Sequence, residues 1–250
     1  MILGEINFIL QSKFNRFIFI FLHRKFNTWE FIDTDVYKSP NLGLFAKAND
    51  RIIIVPFGFA KTKTAKLMEY LGVKEELYTS VANTRLIGPM TAMNNKGILV
   101  PSIATDEEIL ALKQATGLNV DRLNSKFTAI GNLISTNDNG ALVSPIFKGE
   151  VDEQIRDALG VPVHSMTVGG FIQTGSMIVA TNTGAAVHPK ATEDEIKVIS
   201  EILQVQVEPV TVNGGIPFLS SGILANSKSV IVGSLTSGPE LIMLSRIFKA

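Results

Sequence analysis

The sequence predicts an α/β protein made of five copies of one unit of about 44 residues, closed into a pseudo-fivefold ring. Three observations predict it. An Asn recurs at near-constant spacing, capped helices follow it in phase, and the terminal units are as apolar as the middle ones.

The repeat comes first, because a fixed period decides the architecture. Five similar segments are 44–56 (LFAKANDRIIIVP), 89–101 (PMTAMNNKGILVP), 132–145 (NLISTNDNGALVSP), 177–189 (MIVATNTGAAVHP) and 223–233 (ILANSKSVIVG). Their shared residues are Asn49, Asn94, Asn137, Asn182 and Asn226, separated by 45, 43, 45 and 44 positions. Six residues before each stands a small residue: Gly43, Gly88, Gly131, Ser176 and Ser220. Two apolar runs flank a short polar turn that often ends in Gly (Gly97, Gly140, Gly184), and the second run usually ends in Pro. Asn and Gly tolerate left-handed backbone angles, so this is hairpin chemistry. The small residues are expected to begin strands and to cluster on one rim.

A helix is expected next in each unit. Thr105-Asp-Glu-Glu108 and Thr192-Glu-Asp-Glu195 read as capping boxes. Their acids complement the helix dipole. Gly72, Gly117 and Gly160 stand where helices would stop. Further apolar runs at 118–120, 161–163 and 205–207 predict a closing strand, so the unit reads strand–turn–strand–helix–strand. A WD40-type propeller has a similar period, but its blades hold four strands and no helix. An open solenoid would want polar capping repeats at its ends. A closed ring leaves few free sheet edges, so a monomer is expected.

Residues 1–40 differ in composition, with seven of the fifteen Phe, one Val and no Ala. The run at 17–22 is too short to cross a bilayer, and Glu5 precedes any basic residue, unlike a signal peptide. No membrane association is expected. The division expected is an extension over 1–35, outside the fold, and one domain over 36–250. The chain has no Cys, so thiol nucleophiles, disulfides and Cys-ligated metals are excluded. His23, His164 and His188 show no H-x-x-x-H spacing, and His188 is expected at a surface or blade edge. No metal or cofactor site is expected. Lys plus Arg and Asp plus Glu are each 23, so a partner held mainly through phosphates is disfavoured.

Several segments in order then carry a resemblance: 41–56, 123–145, 166–189 and 226–241, including Thr128-Ala-Ile-Gly-Asn132, Thr211-Val-Asn213 and Thr236-Ser-Gly-Pro-Glu240. Over about 36–250 the chain resembles the archaeal members of the translation initiation factor 6 family. The resemblance implies a pentein-type α/β propeller, a cytoplasmic monomer and a binding protein, not an enzyme. It implies binding to the large ribosomal subunit on the face that meets the small one, which blocks their joining. Contact would fall on a ribosomal protein near the sarcin–ricin loop, with limited rRNA contact; eukaryotic members also act in subunit maturation. The sites it implies are Gly43, Pro89, Gly131, Asn132 and Met177, with Thr236, Ser237, Gly238 and Glu240 near the end of the chain; Gly88 and Ser176 join them as small residues expected on the same rim. Pro89 stands where relatives more often carry Arg, and Ser220 and Ser229 where they tend to carry Gly. Alternatives are a scaffold for another protein partner, or a hydrolase; the guanidino-group enzymes of this fold need a Cys nucleophile that is missing here.

Overall fold

The computed structural model describes residues 18–23, 29–33, 37 and 39–248. They form a mixed α/β structure with five small sheets. Strands β1 (Ile18–His23) and β2 (Trp29–Asp33) come first. The first unit is α1 (Leu42–Phe45), β3 (Lys47–Ala48), β4 (Ile52–Pro56), α2 (Lys61–Leu71) and β5 (Glu75–Thr79). The second is α3 (Ile87–Met90), β6 (Ala92–Met93), β7 (Gly97–Pro101), α4 (Asp106–Thr116) and β8 (Asn119–Leu123). The third opens on a 3-10 turn (Ile130–Asn132), then β9 (Ile134–Thr136), β10 (Ala141–Val143), α5 (Asp152–Leu159) and β11 (Val163–Ser165). The fourth is α6 (Thr174–Met177), β12 (Ile178–Ala180), β13 (Ala185–Val187), α7 (Glu193–Leu203) and β14 (Val207–Pro209). The fifth is α8 (Leu219–Gly222), β15 (Ile223–Ala225), β16 (Ser229–Val232) and α9 (Gly238–Phe248).

The expected unit therefore gains a one-turn helix at its start, and the small residues sit in that turn, not at a strand start. In the first four units a hairpin gives an antiparallel pair, and the strand after the helix lies parallel to the central one. A parallel pair needs such a crossover. The central strands β4, β7, β10, β13 and β16 are buried along their whole length, as an unbroken apolar run requires. In the fifth sheet the order is β15-β16-β1-β2, with Ile20 opposite Val232. Two strands from the expected extension thus lie in this sheet; the other residues of 1–35 fall outside the described ones.

The helix ends follow the sequence. Thr105 and Thr192 complete both capping boxes, and Gly72, Gly117 and Gly160 are left-handed at the C-termini of α2, α4 and α5. The hairpins do more than turn. Asn137 accepts from the N–H groups of Asn139 and Gly140 (2.9 and 3.1 Å) while its Nδ2 donates to the carbonyls of Thr181 and Leu203 (3.0 and 2.8 Å) in the next unit. Asn94 repeats this with Asn137 and Leu159, and Asn226 with Asn49 and Leu71. Asn49 donates to Asn94 (3.2 Å), and Arg51 reaches the carbonyl of Thr116 at the end of α4.

The fourth unit corrects the sequence alignment. Thr181, not Asn182, pairs with Gly184 as Asn137 pairs with Gly140. Its Oγ1 accepts from the N–H groups of Thr183 and Gly184 (3.2 Å each). Asn182 belongs to a second network that runs through Asp50, Asn95 and Asp138. Thr181 sends no side-chain hydrogen bond to the fifth unit among the described residues.

Candidate functional site

Each sheet has two ends. The hairpins and the C-termini of the long helices lie at one. The one-turn helices, the helix N-termini and the turns that precede them lie at the other, here called the turn end.

At the turn end the one-turn helices stack through their small residues. A Cβ on Gly43 would lie 2.0 Å from the Ser220 carbonyl oxygen, on Gly88 1.8 Å from that of Gly43, and on Gly131 2.1 Å from that of Gly88. The next member is Gly175, 2.3 Å from the Gly131 carbonyl oxygen, which replaces the expected Ser176 because the fourth hairpin begins one residue earlier. Gly43, Gly88 and Gly131 are buried, and so are Pro89 and Met177. Their geometry serves contact between units.

Asn132 is different. It is half-buried at the end of the third unit's 3-10 turn, and its side chain makes no hydrogen bond among the described residues. Ser176 is half-buried beside Gly175. The C-terminal group divides. Ser237 and Gly238 are exposed, whereas Thr236 is buried and accepts from the Asn213 N–H (3.2 Å). Asn213 reaches Asn41 at the start of α1 (3.3 Å), which joins this group to the glycine contacts. Glu240 is 7% exposed and fully engaged. It accepts from Thr211 Oγ1 (2.6 Å) and from the N–H groups of Gly214 (3.1 Å), Gly215 (2.9 Å) and Ser237 (2.6 Å).

Glu240 has counterparts that sequence reading missed. Glu108 accepts from Ser80 Oγ (2.6 Å) and the N–H groups of Ala82 (2.8 Å) and Asn83 (2.9 Å), besides its own cap at Thr105 (3.0 Å). Glu195 accepts from the Gly169 N–H (3.0 Å) and from Thr192 (2.9 Å). Gln154 does the same for Asn124 (2.8 Å). All stand third in their helices, and each holds the turn that leads into its unit's one-turn helix. Burial alone would raise the Glu108 and Glu240 carboxyls, but the converging donors hold both below their ordinary value.

The clamped turns end in exposed apolar side chains: Leu86 (38%), Ile172 (40%), Ile216 (42%) and Phe218 (46%). Bases flank them. The Arg85 guanidinium lies 6.0 Å from the Tyr37 ring, Lys126 5.4 Å from Phe127 and Lys190 6.0 Å from Phe171. His188, expected at a surface or blade edge, is buried 5.0 Å from the Phe171 ring, just after the central strand of the fourth unit. Its Nδ1 accepts from the Lys190 N–H (3.0 Å), and burial followed by the Lys190 charge lowers its pKa. Among the described residues no group of acids and histidines could hold a metal ion. A cavity of about 60 Å³ lies between the first strands of the units, lined by Ala48, Met93, Thr136, Ala180 and Ala225. No helix among the described residues is long and apolar enough to cross a membrane.

A family model described as the eIF-6 family matches residues 31–247. The chain is 58% identical over 214 residues to a translation initiation factor 6 from Cenarchaeum symbiosum, covering 86% of this chain and 96% of the relative. It is 58% identical over 219 residues to the factor of the same name from Nitrosopumilus maritimus (88% and 99% covered) and 43% identical over 215 residues to that of Pyrococcus furiosus (84% and 94%).

Proposed function

The chain belongs to the eIF-6 family, and from that membership we propose that it binds the large ribosomal subunit on the side that meets the small one and prevents their premature joining. A part in large-subunit maturation belongs to the same reading. The observation that carries it is identity to proteins named translation initiation factor 6 along almost their whole length.

The turn end is the docking surface in this reading. It combines Asn132, whose side chain has no hydrogen-bond partner among the described residues, the exposed Ser237 and Gly238, and the apolar side chains at the clamped turns. The loops 80–86, 124–129, 165–173 and 210–218 contain no Asp or Glu, while Arg85, Lys126 and Lys190 supply positive charge. An apolar core with a light basic rim suits a ribosomal protein near the sarcin–ricin loop, with limited rRNA contact. The protein acts by occupying this surface and not by catalysis, as a monomer in the cytoplasm.

The five units form a closed pentein-type ring in this reading. Support comes from the side chain of Asn226, which donates to Asn49 across a separation of 177 residues, and from Gly43 against Ser220. Residues 36–250 make up the single five-bladed domain in this reading, and the family match covers 31–247, nearly all of it and a few residues before it. Removing residues 1–30 takes β1 away from β16; with the domain placed at 36–250, folding and binding are still expected to survive, and a truncated protein that fails to fold, read by thermal unfolding, would refute that division.

Sedimentation of the purified protein with separated archaeal ribosomal subunits tests the function. Co-migration with the large subunit alone, and fewer joined ribosomes, is the expected outcome. Co-migration with neither subunit would return the function to another protein partner.

A further inference from the structure

We infer that Glu108, Glu195 and Glu240 are positioning residues for partner binding, each fixing from the first turn of an outer helix a tight turn whose next residues present apolar side chains to the partner. The inference rests on the docking surface proposed above and says what gives that surface its shape.

The turns need holding. Ala82 and Asn83 have φ of 54° and 56°, Gly169 and Gly170 59° and 84°, and Asn213, Gly214 and Gly215 52°, 76° and 107°. Left-handed residues in sequence point successive N–H groups to one side, where water or a fixed acceptor must satisfy them. In three units that acceptor is a carboxylate on a helix: Glu108 for Ala82 and Asn83, Glu195 for Gly169, Glu240 for Gly214 and Gly215. The segments that follow display Leu86, Ile172, and Ile216 with Phe218. An apolar contact borne on a loose turn would lose part of its affinity to ordering, and a clamp made before binding removes that loss. Glu108 and Glu240 themselves are buried and meet no partner, so they act through the turn.

The first unit is a natural control. Lys63 stands third in α2, where the others carry Glu or Gln, and Ala60 at the start of that helix offers no side-chain cap.

The test is a double-mutant cycle read by affinity for purified large subunits, with thermal unfolding recorded for every variant. Glu108→Gln is expected to weaken binding about fivefold or more, and Leu86→Ala to a similar degree. In the double variant the losses do not add, because Glu108 acts through Leu86. Ser80→Ala, which removes one bond to the carboxylate and leaves the charge, gives a smaller loss in the same direction should Glu108→Gln fold poorly. Lys63→Ala leaves binding unchanged. Additive losses in the cycle, or unchanged affinity in both Glu108→Gln and Ser80→Ala, would overturn the positioning role while wild-type binding stands. Failure of the wild-type protein to bind large subunits would overturn this inference together with the proposed function.

Discussion

Replacing Thr181 with Asn should strengthen the joint between the fourth and fifth units. At the equivalent hairpin Asn137 keeps two bonds to its own turn and sends two more, of 3.0 and 2.8 Å, to carbonyls of the next unit. Thr181 supplies the local bonds through Oγ1 but has no second polar group to cross the boundary. The loop from Thr181 to Gly184 has the same length as that from Asn137 to Gly140 and the same backbone pairing, so an Asn fits without remodelling. Each new buried bond contributes about 0.5–1.5 kcal/mol net, and ordering the amide offsets part of it. The sum is about 1–2 kcal/mol, or roughly 2–8 °C in Tm for a chain of this size. Thermal and urea unfolding of Thr181→Asn beside Thr181→Ser, which keeps only the local hydroxyl, reads the difference. An Asn variant no more stable than the Ser variant would refute the account of the Asn residues as ties between units.

Three further outcomes follow from the same structure. The Lys47 ammonium is half-buried without a hydrogen-bond partner or counter-ion among the described residues, and burial lowers its pKa from 10.5 to about 8. Between those values the unfolded chain holds the proton and the folded one does not, so stability rises with pH from about 8 to 10.5; Lys47→Met should add about 1–3 kcal/mol at pH 7 and flatten that rise, as urea melts across pH would record. Gly88→Ala would drive a methyl into the Gly43 carbonyl oxygen and should destabilise by about 2 kcal/mol or more, read by Tm. Asn132→Ala should weaken large-subunit binding while Tm moves by no more than a few degrees, because its side chain makes no hydrogen bond among the described residues; loss of fold in place of loss of binding would contradict that.

The features legible in the sequence were those encoded within a few residues. Thr105 with Glu108, Thr192 with Glu195, and Gly72, Gly117 and Gly160 mark helix ends by local chemistry, and the structure has them there. The fourth hairpin misled because Thr181 does the work of an Asn while a true Asn stands next to it at position 182. The crossing bonds of Asn94, Asn137 and Asn226 were hidden for a related reason: turn formation already accounted for the residue, and nothing local announces a carbonyl 43 or more positions away. Glu108 and Glu195 were read as caps of their own helices, which they are, but their second task depends on a turn some 25 residues earlier. Glu240 was assigned to the surface through a motif, whereas the turn around Gly214 and Gly215 closes over it. For Asn132 the structure adds a half-buried place at the end of a 3-10 turn, and its assigned role in binding stays a proposal.

The bond from Asn226 to Asn49 has a consequence for how the molecule comes into being. The chain is synthesised from its first unit, and the partner that this unit's hairpin needs lies 177 residues downstream. At about 5–20 residues per second, that partner arrives roughly 10–35 s later. Throughout the interval the growing chain has one unmated flank, with the carbonyls of Asn49 and Leu71 turned to water or to whatever else is near. Completion is therefore a single late event that depends on the last stretch of polypeptide, and a nascent chain stalled before residue 226 would present an open edge to its surroundings.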